Sequence, residues 1–119
     1  MKKIIINGYN SYIANNFYKK FKKKYKIFYY KGDINKISNL KKYLQNKKFD
    51  TFIHFAGLSR SKCIINEKKC LKSNYIAIQK IINYLNTLNK KPSFIFISSS
   101  HVYDFSNKKI KEDFLKKPR

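Results

Sequence analysis

The chain has 119 residues, 43% of them apolar and 17% aromatic, enough for one domain with a packed core and no more. Its formal net charge is +22, carried almost wholly by Lys, with Arg only at Arg60 and Arg119. The cations are spread along the whole length, which argues against a dedicated nucleic-acid reader, since such proteins gather Arg forks into a patch. Salt-sensitive adhesion to polyanions is what remains. The Lys excess accompanies an excess of Ile, Asn, Phe and Tyr, all with A/T-rich codons, and is read as a bias of the gene.

After Met1-Lys2-Lys3 the apolar run Ile4-Ile5-Ile6 stops at Asn7-Gly8, too short for a signal peptide. No stretch has the length of a membrane span, and a cytoplasmic location is expected. In chain order, apolar runs at residues 4–6, 27–30, 51–55 and 94–97 read as strands. They are continuous rather than alternating, which is the pattern of strands covered on both faces. Between them, residues 12–23 place Ile13, Phe17 and Phe21 on one helical face, and residues 37–46 do the same with Ile37, Leu40 and Leu44. Residues 67–89 form the longest predicted helix, striped by Leu71, Asn74, Ile78, Ile81, Leu85 and Leu88 and closed by Pro92. Residues 105–119 are polar and charged and add no element. Cys63 and Cys70 have neither zinc-ligand nor CxxC spacing, so neither a metal site nor a disulfide is expected, and Cys70 fits a buried helical position.

Strand and helix thus alternate three times before a fourth strand. The fold predicted is α/β, a doubly wound parallel (Rossmann-like) sheet of about four strands occupying residues 1–119 as one domain. Ligands of such sheets bind beyond the C-terminal strand ends where the strand order reverses. With strand order 3-2-1-4, that place lies between strands one and four. Strand one is followed by Asn7-Gly8-Tyr9-Asn10-Ser11-Tyr12-Ile13-Ala14, strand four by Ser98-Ser99-Ser100-His101-Val102-Tyr103. Gly8 allows a tight turn, Ser11 keeps the loop low, and Ala14 lets the helix approach the strand, leaving its N-terminus open to an anion.

These segments resemble those of the NAD-dependent epimerase/dehydratase family, the extended short-chain dehydrogenase/reductases. Ile5 through Ala14 resembles its TGxxGFIG loop, with Asn, Ser and Ala replacing Thr, Gly and Gly. Asp50-Thr51-Phe52-Ile53-His54-Phe55-Ala56-Gly57 resembles DxVIHLAA, Asn74 the Asn of NVxGT, and residues 96–103 the ISSxxVYG segment. Glu112-Asp113 and Pro118 resemble the run that leads to the catalytic Tyr.

The resemblance implies NAD or NADP as cofactor, held by Gly8, Ser11, Tyr12, Ile13, Asp33, Ile34, Phe55, Ala56, Gly57, Asn74 and Ser98. Ser99 would assist catalysis by bonding the reacting hydroxyl of a nucleotide sugar. The family's base is a Tyr with a Lys four residues on, expected just past Pro118, whereas the sequence ends at Arg119. The chain is therefore expected to be incomplete at its C-terminus, inactive alone, and able to take a nucleotide sugar only when completed. Tyr18/Lys22 and Tyr43/Lys47 have the right spacing but precede strand four, and are rejected.

Lys31 is placed to favour NADP, a weak signal among so many Lys. His54 reads as a core residue and His101 as a solvated one. Asn74 should bond backbone near strand four. That strand, left as an apolar edge, invites self-association. Two other readings stay open: a non-catalytic nucleotide-binding module completed by a partner chain, and a basic nucleic-acid-associated protein. No membrane partner and no specific nucleic acid are expected.

Overall fold

The computed structural model describes residues 1–98 together with Lys109 and Lys111. Ser99, His101, Tyr103, Glu112, Asp113 and Pro118 lie outside the described residues. Four parallel strands, β1 (Lys3–Ile6), β2 (Lys26–Tyr29), β3 (Thr51–His54) and β4 (Ser93–Phe96), form one sheet in the order β2-β1-β3-β4. This corrects the expected 3-2-1-4. The strand beside β1 is β3, so the order reverses between β1 and β3, while β4 lies one strand further out. The connection after β2 passes over β1 and enters β3 directly, with no strand added beyond β2.

Alternation along β1 and β3 sorts the core onto two faces. Ile5 and Phe52 point to one face, where they meet Leu40 and Leu44 of α2 (Ile37–Leu44) and Ile81 and Leu85 of α5 (Ala77–Asn86). Ile4, Ile6 and Ile53 point to the other, against Phe17 and Tyr18 of α1 (Tyr12–Phe21). Both central strands are thus covered twice, as their continuous apolar runs require. β4 departs from that expectation: Ile95 and Phe96 are 46% and 49% exposed, and among the described residues no strand lies outside it.

Two further departures concern the helices. The predicted helix 67–89 is broken into α4 (Glu67–Leu71), a π-helical turn (Lys72–Ile76) and α5. The wide turn takes up one extra residue, so Ser73 and Ala77 are buried instead of Leu71, which is 57% exposed. A short helix, α3 (Arg60–Ile65), precedes α4. It has no apolar stripe and gave no signal in the sequence. Ile13 is also turned outward, 57% exposed at the start of α1, and Ala14 takes its place against the sheet. Among the described residues no helix is long and apolar enough to cross a membrane.

Candidate functional site

The site grows from the ends of β1 and β3. Asn7, fully buried, accepts the Phe55 and Ala56 N–H groups on its Oδ1 at 2.8 and 3.0 Å. Its Nδ2 must then face His54, donating to Nδ1 at 2.8 Å. His54 therefore carries its ring proton on Nε2, which is buried without a partner among the described residues. Burial lowers the His54 pKa to about 4, the backbone at Ala56 opposing slightly. It is a neutral core residue lying beside the Phe94 and Phe96 rings.

Directly after Asn7 the chain turns at Gly8, whose φ is +81°. A Cβ there would sit 2.9 Å from the Phe55 Cβ and 3.1 Å from the Ala56 nitrogen, so only glycine lets the two strand-end loops touch. Ser11 donates its N–H to the Gly8 carbonyl at 2.7 Å and caps α1 by accepting from the Ala14 N–H at 3.3 Å. The Tyr29 hydroxyl braces this loop, within 3.1 Å of the Gly8 carbonyl and 3.2 Å of Asn15 Oδ1.

Above this turn lies a crevice of two adjoining hollows of about 480 and 600 Å³, sharing Ser11 and residues 55–58. Gly8, Asp33 and Ile34 line the first; Ile13, Asn74 and Ser98 line the second. The Tyr12 side chain is 82% exposed and belongs to neither. A glycine-closed turn that leads into a capped helix N-terminus beside a two-part cleft suits a ligand with a central diphosphate and a group at each end.

The sequence pattern of the NAD dependent epimerase/dehydratase family matches residues 3–119. The chain belongs to that family. A search of curated proteins gave no match. Solved structures share its fold. A hypothetical dTDP-4-dehydrorhamnose reductase from Sulfolobus tokodaii superposes with a TM-score of 0.82 at 20% identity, over 99% of this chain and 46% of that one. RMD from Pseudomonas aeruginosa, complexed with NADPH, gives 0.85 at 17% identity, over 100% and 44%. The UDP-Glc/GlcNAc 4-epimerase of Campylobacter jejuni gives 0.83 at 20% identity, again over 100% and 44%. The present chain therefore spans less than half the length of these relatives.

Within this family member, Asn74 does not bond backbone near β4 as expected. Its Oδ1 accepts the Leu58 N–H at 2.7 Å and its Nδ2 donates to the Leu58 carbonyl at 3.0 Å, clasping the loop after β3. The reason is the π-helical turn, which aims Asn74 at that loop. Asp33 holds Asn35 through its N–H at 2.9 Å, and Asn35 Nδ2 donates to Ser73 Oγ at 3.1 Å, tying the crevice floor to the same turn. Cys63 and Cys70, read as free, are joined by a disulfide, because the chain reverses between α3 and α4 and brings them together. The crevice also gathers Lys31, Lys62 and Lys69. The sequence alone does not mark the last two, since in a Lys-rich chain position carries no signal.

Proposed function

We propose that this chain holds NAD or NADP over the ends of β1 and β3, as the dinucleotide-binding part of an oxidoreductase acting on nucleotide sugars. The observation that carries this is the Gly8 turn, pressed against Phe55 and Ala56 with no room for a Cβ, opening onto a cleft with two lobes. Gly8, Ser11 and the first turn of α1 would take the diphosphate. Asp33 and Ile34 would face the adenosine end. Phe55, Ala56, Gly57, Ile13, Asn74 and Ser98 would face the nicotinamide end. Lys31, Lys62 and Lys69 add a positive rim suited to phosphates.

Family membership supports the reading, and so do the similar structures: RMD is complexed with NADPH, and the Campylobacter jejuni protein is a UDP-Glc/GlcNAc 4-epimerase. When bound, the nicotinamide supplies hydride chemistry. The chain's own contribution is to bind and orient it, with Ser99 assigned to hydrogen-bond the reacting hydroxyl of the sugar. Turnover is proposed for a molecule that also supplies the Tyr-x-x-x-Lys pair.

Thermal unfolding with and without each nucleotide tests this. A ligand at a hundredfold its Kd adds about 2.7 kcal/mol to the folded state, and an upward shift of the midpoint with NAD⁺ or NADP⁺ is expected. Cooperative unfolding that neither nucleotide moves overturns the proposal. Steeply salt-dependent binding to DNA in that case would favour the nucleic-acid reading.

A further inference from the structure

The wall of the crevice opposite Gly8 is unlike the rest of the molecule. From Ser59 to Lys72 none of the described side chains is buried, and Ile64 and Ile65 are 70% and 85% exposed. α3 and α4 therefore have no hydrophobic anchor. Two things hold this excursion: Asn74 clasping Leu58 at its base, and the Cys63–Cys70 disulfide across its middle. The two meet, since Asn74 Nδ2 lies 3.5 Å from each sulfur and the Cys63 sulfur lies 3.8 Å from the Leu58 carbonyl. Lys62 and Lys69, each the residue before a cysteine, line the crevice. The bridge that ties the cysteines therefore also brings these two ammonium groups to one rim.

We infer that Cys63–Cys70 is a reversible redox site taking small thiols or dithiols, whose oxidised state fixes the lysine-bearing wall and strengthens dinucleotide binding. The inference rests on the crevice being a dinucleotide site. Both cysteines are only half-buried, so a thiolate can reach the bridge. Lys62 and Lys69 precede the two cysteines in sequence, and a nearby cation favours the cysteine thiolate that is expelled. In the reaction, one thiolate of a dithiol attacks one sulfur, forming a mixed disulfide and releasing the other cysteine. The reagent's second thiol then closes a cyclic disulfide and frees the first cysteine. The protein gains two electrons and two protons; the dithiol loses them.

Opening the bridge removes the cross-link from a segment with no buried side chain, so its conformational freedom returns. Lys62 and Lys69 are then no longer held at the rim, and the phosphate attraction they supply is diluted. Among the described residues the polar partners of the two sulfurs are Leu58 and Asn74, so the sheet, the Gly8 turn and Asn7 are expected to be left unchanged.

The test uses the full chain, oxidised and after dithiothreitol, with thiol alkylation and intact mass confirming each state. Calorimetric titration with NAD⁺ and NADP⁺ should show binding weakened by about tenfold on reduction. Hydrogen exchange should show lost protection confined to residues 58–74. Cys63→Ser/Cys70→Ser should match the reduced protein under both conditions, and Lys62→Gln/Lys69→Gln should bind weakly whatever the redox state. Equal affinity in both states overturns the inference while leaving the dinucleotide site standing. If neither state binds a dinucleotide, the proposed function fails instead. Exchange then decides what remains: unchanged protection at 58–74 rejects the redox wall, and selective loss upholds it.

Discussion

On the β1 side of the crevice, the Gly8 turn is rooted in the core. Asn7 is fully buried and makes three hydrogen bonds, and Ile5 and Ile6 beneath it are fully buried as well. On the other side, none of the described side chains of α3 and α4 is fully buried, and the two helices rely on one amide and one covalent bridge. A single cleft thus has one wall that can move only if the domain unfolds and one that can move by itself. Stability measured for the whole domain reports the first wall, and local exchange reports the second.

The sharpest way to break this comparison is Asn7→Ala. It strands two partly buried N–H groups and the buried His54 Nδ1, costing about 3 kcal/mol, a large part of the stability of a domain this size. The urea midpoint should fall steeply or the cooperative transition vanish. A loss under 1 kcal/mol would mean the wall is not rooted as described.

Acid probes the same wall. His54 is held neutral in the folded state with its pKa lowered to about 4, against an ordinary value of 6.5. Between those values the unfolded chain binds the proton and the folded chain does not. Stability is therefore complete above pH 6.5 and declines as pH falls towards 4, by about 3 kcal/mol. Asp50, its pKa lowered by the Lys3 N–H, adds its own loss only at still lower pH. Urea midpoints from pH 7 to 4.5 should follow a one-proton slope that His54→Gln flattens.

On the second wall the effects should be smaller and local. Asn74→Ala removes the clasp on Leu58 at a cost of about 1–2 kcal/mol. The Leu58 amide should exchange about tenfold faster while β1 amides are unaffected. Ile65→Ser, at a position 85% exposed, should change stability by less than about 0.5 kcal/mol. A larger loss would show that α3 packs on something.

How far the sequence anticipated this follows the same division. β1 and β3 were legible as continuous apolar runs because both their faces are buried. Gly8, Asp33 and Phe55 to Gly57 were picked out by resemblance, and the fold gathers them into one cleft. Strand order was not legible. Periodicity marks an element but not the side of β1 to which its crossover returns. Nor was the disulfide: a seven-residue separation carries no pattern until α3 and α4 fold back at Asn66, which caps α4 by accepting from the Lys69 N–H at 3.0 Å. The stripe through Leu71 failed for want of the π-helical turn, whose extra residue leaves no mark in a list of apolar positions.

That turn also sets how the chain tolerates change in length. Deleting one residue among Lys72 to Ile76 would restore an unbroken α-helix and rotate everything before it by about 100° relative to α5. Asn74 would swing away from Leu58, and Ser73 from Asn35. A deletion in the exposed stretch between the cysteines would disturb neither pair. The wide turn is thus a phase-setting joint: lineages carrying this protein should vary in length at the outer hairpin and keep the residue count of the turn constant.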